Sequence, residues 1–579
     1  MSMNSSTNTT NTNPETGQSK VTGMYILAQA LKRIGIDSMY GLVGIPVTDF
    51  AYIAQEQGIR FISFRHEQQA GMAAAAAGFL TKKPGVLLTV SSLGFLNGLT
   101  ATANATVNCF PMIQISGSSE PAPIDLEQGN YEGLDQLNIA KPLVKAAYRV
   151  SHPQDIPTAV ARAYRAAVSG RPGGVYLDVT TPCLGAVMDK EEAEKLFFTP
   201  IDPAPAMVPS SESIDRALAL LSQAKQPAII LGKGAAYAQV DDKVKQFVEM
   251  TGIPFLPMSM AKGLLPDNHP LSAISARSHV MQDADVVLLI GARLNWLLSR
   301  GHGKWNPEGK FIQIDIDPME MDVNRPITAP VVGDIGSALD AMIVALPKHT
   351  FNMDAQWVKG IQEEGKVKAA KFAERLAANP TPMTHWSALG AVKKVLEAHP
   401  EIILVNEGAN TLDDCRNAID MSVPRHRIDC ATWAIMGMGM GMSIGAAVAT
   451  GSPVVAVEGD SAFGFSGMEV STICRFKLPV TVVVFNNGGI YNGIGVNLGK
   501  DNDPAPTTLD VTARYDKIIE AFGGQPYNAT TPDELTKALE EGIASGKPTL
   551  INVVLNPASG EESGHIGYLN PAALTPIKV

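Results

Sequence analysis

Short, nearly continuous apolar runs recur along the chain at residues 61–64, 228–231, 286–291, 311–315, 402–405, 454–457 and 480–485. Each is too short for a helix and rich in β-branched or aromatic residues, so each predicts a strand buried on both faces. Between the runs, apolar residues recur at helical spacing. Strand and helix patterns in alternation predict parallel α/β layers. Two Pro-rich breaks interrupt them, one over residues 199–209 and one at 379–382, where a long polar helical stretch ends. Three units follow, at residues 21–195, 205–350 and 380–560. Residues 1–20 are rich in Ser, Thr and Asn, with neither a basic start nor an apolar core, and read as a disordered leader and not a signal peptide. No apolar run reaches membrane-spanning length.

Composition narrows the class. A chain of 579 residues with 45% hydrophobic content, 52 Gly and 39 Pro fits a loop-rich α/β enzyme. The net charge of −11, without a basic stripe, argues against nucleic acid as a partner. The five cysteines are scattered and show no CxxC spacing, so neither a disulfide framework nor a zinc site is expected. A reducing, cytoplasmic setting is the default expectation.

Candidate chemistry concentrates where two of the predicted strands end. The run at 454–457 leads into Gly459-Asp460-Ser461, and the run at 480–485 into Asn486-Asn487-Gly488-Gly489. In a parallel sheet, residues that end neighbouring strands converge on one edge, where ligands bind. Asp460, the Asn487 side chain and a carbonyl near Gly489 offer hard oxygens suited to Mg²⁺ shared with a diphosphate. Taken alone, Asp460 also fits a helix cap and residues 486–488 a turn. The central unit has strands ending in Gly232-Lys233-Gly234, in Gly291 before Arg293, and in Asp315. These are Rossmann-like without the full GxGxxG pattern, so a nucleotide site and a plain scaffold fit equally well.

Gly459-Asp460 followed by Asn486-Asn487 resembles the binding motif of the thiamine diphosphate enzymes. The resemblance implies Mg²⁺ held by Asp460, Asn487 and the carbonyl of Gly489, with Ser461 and Ala462 beside the cofactor diphosphate. It implies that Glu67, which follows the run at 61–64 and opens an Ala-rich helix, activates the cofactor through its aminopyrimidine. It also implies that Met436, in the segment 433–441, wedges between the two cofactor rings, flanked by Ala434 and Ile435. Ala409 and Asn410 line the same cleft.

Over nearly its whole length the sequence is similar to the oxalyl-CoA decarboxylase family, through segments 41–49, 131–136, 232–237 and 562–566. That resemblance implies three parallel-sheet α/β domains of the thiamine diphosphate-dependent decarboxylase type: a pyrimidine-binding domain, a Rossmann-like domain and a diphosphate-binding domain. It implies conversion of oxalyl-CoA to formyl-CoA and CO₂, with Ile45, Tyr131, Glu132, Tyr491, Ser563 and Gly564 in the reaction pocket. Arg416 and Asn417 would contact CoA, and Arg171, Lys233, Arg293, Asp315 and Ile335 would hold ADP as an activator. The tail at 561–579 would close over the active site. Because Glu67 and Asp460 fall in separate units, the resemblance further implies a homodimer or homotetramer with active sites at the dimer interface. Three features depart from the family pattern: Gly133 where a second Glu usually stands, Ser92-Leu93-Gly94 for an Ala-Pro-Gly turn, and Cys415 at a small or apolar position. The nearest alternative is a 2-hydroxyacyl-CoA lyase, in which an aldehyde leaves in place of CO₂. Tyr131-Glu132 and Glu562-Ser563-Gly564 favour the decarboxylase. Intact Glu67, Asp460 and Asn487 disfavour a non-catalytic cofactor- or nucleotide-binding protein.

Overall fold

The apolar runs form strands where their pattern places them. A computed structural model describes residues 11–12, 19–491 and 504–559. In it β1 (Asn11–Thr12) pairs antiparallel with β2 (Ser19–Thr22), which pairs with β9 (Val187–Asp189). Four residues of the expected leader, Asn11, Thr12, Ser19 and Lys20, are thus paired, and the expected boundary at residue 21 falls inside β2.

Three larger sheets, all parallel, carry the fold. The first has strand order β4-β3-β5-β6-β8-β7, built from β3 (Ser38–Gly41), β4 (Arg60–Ser63), β5 (Gly85–Thr89), β6 (Met112–Ser118), β7 (Ala146–Val150) and β8 (Gly174–Thr180). The central sheet orders β11 (Phe255–Pro257), β10 (Pro227–Leu231), β12 (Val286–Ile290), β13 (Lys310–Asp315) and β14 (Ala329–Val332). The last orders β16 (Arg427–Ile428), β15 (Ile403–Glu407), β17 (Val454–Gly459), β18 (Val480–Asn486), β20 (Thr549–Val554) and β19 (Gln525–Ala529). Every residue of β18 is buried, as expected of a central parallel strand covered on both faces. Each fully buried Val or Leu of such a strand contributes about 1.5–3 kcal/mol.

The chain divides into two compact units, residues 1–205 with 444–450, and residues 206–443 with 451–579. The break between them falls in the Pro-rich stretch expected as the first linker. The second expected break separates the central and last sheets, which share one compact unit because polar contacts tie them together. Arg427 is fully buried and donates from Nε to Ser259 Oγ (3.0 Å) and from Nη2 to Asn406 Oδ1 (2.6 Å). Lys262 and Asp267 form a buried pair at 3.2 Å, and the Asp267 carboxylate accepts the Met421 N–H at 2.8 Å. Arg425 grips Asp241 with two bonds of 2.7 and 2.8 Å, and Trp296 Nε1 donates to Thr432 O at 3.1 Å. The polar stretch before residue 379 is the helix Ala355–Ala377, which buries only Trp357 and Ile361. Trp357 pins it to β10 by donating to Pro227 O at 2.9 Å.

Candidate active site

β15, β17 and β18 lie side by side and in parallel, with Glu407 opposite Glu458 and Gly459 opposite Phe485. Their carboxyl ends therefore deliver Glu407, Asp460 and Asn487 to one edge of the sheet. Asp460 opens the helix Asp460–Ser466 and is 2% exposed. Its carboxylate accepts N–H bonds from Ser461 (2.7 Å), Gly488 (2.8 Å) and Gly489 (3.0 Å), which ties together two strand ends far apart in sequence. Burial pushes the Asp460 pKa up to about 6, opposed by these N–H donors. Gly488 adopts φ +78°, and a Cβ there would lie 2.0 Å from Val511 Cγ1, so only glycine lets the turn pass. Asn487 Nδ2 and Asn410 Nδ2 both donate to the carbonyl of Tyr491, at 2.8 and 3.2 Å. Asp460, Asn487, Gly489, Tyr491 and Asn410 thus form one cluster.

The donor set suits Mg²⁺: one carboxylate, one amide and main-chain oxygens are hard ligands of the kind this ion takes. Among the described residues no three His, Cys, Asp or Glu side chains group around a metal position. A cation at Asp460 would therefore draw on amide and main-chain oxygens. Ser461 is half-buried, whereas Ala462 is fully buried and offers a ligand only its main chain. Beyond Asp460, Phe463 packs edge-on against Tyr515 at 5.6 Å. Burial and the charge of Asp460 push the Tyr515 phenol up to about 12.

The segment 433–438 rises to the same edge. Trp433 and Ala434 are exposed, Ile435 and Met436 half-buried, and Gly437 and Met438 buried. An apolar loop left partly open beside a polar cluster fits the rings of a cofactor. Glu407 and Glu458 lie fully buried beneath it. Glu407 Oε1 accepts the Gly437 N–H at 2.6 Å, and its other oxygen accepts the Gly439 N–H. Among the described residues neither oxygen of Glu458 has a hydrogen-bond partner. Burial raises Glu407 to about 7 and Glu458 well above the carboxylate range, the second helped by the charge of the first. The N–H donors at Glu407 favour its ionised form, whereas burial without such donors disfavours ionisation of Glu458.

The first unit holds the other expected residues. Glu67 begins the helix Glu67–Thr81, is buried, and accepts a bond from Asn97 Nδ2 at 3.1 Å. Ser91 Oγ donates to Glu132 Oε2 at 2.5 Å, and Ser92 N–H donates to the side-chain oxygen of Gln136. The unusual turn at 92–94 therefore rests against the 131–136 segment. Ile45, Leu93 and Tyr131 are 68%, 70% and 67% exposed, large apolar side chains open to a ligand. Ser563 and Gly564, with the rest of the expected tail at 561–579, lie outside the described residues.

The expected ADP residues Lys233, Arg293, Asp315 and Ile335 each follow or end a strand of the central sheet, β10, β12, β13 and β14 respectively. They share its carboxyl edge, where nucleotides bind in such sheets. Arg293 also donates to Thr432 Oγ1 at 3.3 Å, and the Asp315 carboxylate accepts the Asp317 N–H at 3.0 Å. Arg171 belongs to the other compact unit. Arg416 pairs with Asp413, its carbonyl accepts Lys262 Nζ at 2.8 Å, and Asn417 is exposed. Cys415 is buried 3.9 Å from an Arg427 nitrogen, a packed position.

Three segments of the chain match models of the thiamine pyrophosphate (thiamine diphosphate) enzymes: the N-terminal TPP binding domain over 21–139, the central domain over 214–342 and the C-terminal TPP binding domain over 410–553. The chain belongs to this family. It is 58% identical to an oxalyl-CoA decarboxylase of Escherichia coli strain K12, over 95% of the chain and 97% of that protein. A 2-hydroxyacyl-CoA lyase of Arabidopsis thaliana is 42% identical over 96% of the chain and 99% of its own length. The human 2-hydroxyacyl-CoA lyase 1 is 36% identical, over 96% and 98%. The motif and strand reasoning that pointed to this family passed over Glu458 and Tyr515. For Glu458 a signal was present, a lone acid inside an otherwise apolar run. Tyr515 carried none, because its approach to Asp460 depends on chain far away in sequence.

Proposed function

We propose that the chain is a thiamine diphosphate- and Mg²⁺-dependent decarboxylase that converts oxalyl-CoA to formyl-CoA and CO₂. The observation that carries this reading is the 58% identity, nearly end to end, with an oxalyl-CoA decarboxylase, against 42% with a 2-hydroxyacyl-CoA lyase. Bound thiamine diphosphate supplies the nucleophilic carbon for the thioester and the electron sink that accepts the pair left by CO₂. Asp460, Asn487 and the Gly489 carbonyl hold Mg²⁺ against the diphosphate, with Ser461 and the Ala462 main chain beside it. Ala409, Asn410, Ala434 and Ile435 would line the cofactor, and Met436 would support its two rings. Glu67, fixed by Asn97, holds a proton at the aminopyrimidine. Ile45 gives the leaving carboxylate an apolar wall, where departure as a neutral molecule is favoured over a desolvated charge. The phenols of Tyr131 and Tyr491 are suited to hold the proton delivered to the carbon that CO₂ leaves, with Glu132 and Ser563 nearby in the pocket. Arg416 and Asn417 are assigned to CoA, and Arg171, Lys233, Arg293, Asp315 and Ile335 to an ADP activator. Two chains, in a homodimer or homotetramer, would complete each site by pairing one chain's Glu67 with the other's Asp460.

The test is a product assay by mass spectrometry with thiamine diphosphate and Mg²⁺. Oxalyl-CoA should yield formyl-CoA and CO₂. Cleavage of a 2-hydroxyacyl-CoA to formyl-CoA and an aldehyde, with oxalyl-CoA untouched, would replace this reading with the lyase.

A further inference from the structure

Glu407 is buried at the end of β15 and has none of the roles assigned above. Both of its oxygens are committed to the backbone of the loop that carries Met436. Oε1 accepts the Gly437 N–H at 2.6 Å, the second oxygen accepts that of Gly439, and the Met438 N–H also bears on the carboxyl. On the neighbouring strand Glu458 stands opposite in register. A Cβ on Gly439 would lie 2.6 Å from Glu458 Oε1 and 3.0 Å from Glu407 Oε2, so the loop backbone is seated directly on the two carboxyls. The loop cannot sink without displacing them. Nor can it lift without leaving a buried carboxylate and several N–H groups unpaired, which is costly in a dry interior.

The two ends of the loop therefore differ. Gly437 to Gly439 are buried and clamped, while Ala434 to Met436 remain partly open. A side chain that must press on a cofactor needs its own backbone held, and a rigid strand end holds it better than a neighbouring loop does. We infer that Glu407 is a positioning residue, which fixes Met436 through the main chain of Gly437–Gly439 and so sets the angle between the rings of bound thiamine diphosphate. The inference rests on the role proposed for Met436.

The experiment uses the full chain with thiamine diphosphate, Mg²⁺ and oxalyl-CoA, and four variants: Glu407→Gln, Glu407→Asp, Met436→Ala and the Glu407→Gln/Met436→Ala pair. Three quantities are read: kcat, calorimetric cofactor affinity, and near-ultraviolet circular dichroism of the bound cofactor. Glutamine must place an NH₂ against one of the loop N–H donors, which shifts the loop without creating a void. A shift of the order of 1 Å costs up to about 100-fold in rate. Glu407→Gln is expected to lose about 10- to 100-fold in kcat, with an altered dichroism band and a cofactor affinity within about threefold of the parent. The double variant should lose no more than the worse single, because both act on one element. Glu407→Asp keeps the charge on a shorter arm and should fall between parent and Glu407→Gln, which provides the measurement if the glutamine variant does not fold.

Unchanged kcat and dichroism in the Glu407 variants, with Met436→Ala impaired, overturns the inference and leaves the Met436 role standing. Losses that multiply in the double variant also overturn it, as expected if Glu407 only supports the fold. A Met436→Ala variant equal to the parent removes both the Met436 role and the inference.

Discussion

Asp460→Asn separates the structural duty of Asp460 from its proposed duty as a metal ligand. The carboxylate accepts three backbone N–H bonds on two oxygens. Asparagine has one oxygen. Turned toward Gly488 and Gly489 it keeps two of the three bonds, and its NH₂ then faces the Ser461 N–H, a donor against a donor costing about 1–3 kcal/mol. The change also removes a charge that burial disfavours. The rise in pKa from 3.8 to about 6 corresponds to about 3 kcal/mol in favour of a neutral group. The two effects nearly cancel, so the cofactor-free variant should unfold in urea within about 2 kcal/mol of the parent. Cation binding has no such offset. A pair of unit charges about 4 Å apart is worth about 4 kcal/mol at an effective dielectric of about 20, and a divalent ion doubles the charge. Mg²⁺-dependent affinity for thiamine diphosphate, measured by calorimetry with and without the ion, should therefore fall by at least about 100-fold. An Asn variant that keeps the parent's affinity and Mg²⁺ dependence would refute the reasoning.

Glu67→Gln should lose essentially all turnover of oxalyl-CoA while still binding thiamine diphosphate, because an amide cannot hold the proton that activates the cofactor. Parent-like decarboxylation by that variant would remove Glu67 from the mechanism. His385 provides a pH test of stability. It begins the helix His385–Ala398, lies 5.9 Å from the Phe485 ring, and has its pKa lowered to about 4 by burial. With the folded value below the unfolded value of about 6.5, the unfolded chain takes up the proton first, and stability falls as pH drops from about 6.5 toward 4. The full effect is about 3 kcal/mol, of which about 1 kcal/mol is lost by pH 5.5. Urea unfolding of His385→Gln should show a flatter change between pH 7.5 and 5.5 than the parent, and an equal slope would count against the assignment.

The strand ends that meet around Asp460 were legible because two local signals coincided there. An apolar run ended in a short polar, glycine-rich sequence at Gly459-Asp460, and again at Asn486-Asn487-Gly488. Parallel pairing of β17 with β18 then brought them together, as the alternation of strand and helix patterns requires. What no local pattern carries is register. That Glu407 stands opposite Glu458, and that both support Gly439, depends on how β15 pairs with β17 across almost fifty residues of intervening chain. The same holds for the division into units. The Pro-rich break near residue 200 separates the two compact units, whereas the break near 380 separates two sheets that share one compact unit, because Arg427, Lys262 and Asp267 carry contacts between them. Polar residues that look like ordinary loop surface in sequence are buried ties in the fold.

Those ties constrain how such a protein can be recombined. A central sheet joined to its neighbour only by a linker could be lost, duplicated or exchanged as a cassette, leaving the catalytic sheets intact. Here excision would take Ser259 from the fully buried Arg427 guanidinium, and the Arg416 carbonyl and Met421 N–H from the buried Lys262–Asp267 pair; unmet bonds of buried charged groups cost several kcal/mol. Any graft of the central sheet into a relative must therefore carry the matching residues around 406, 421 and 427 with it.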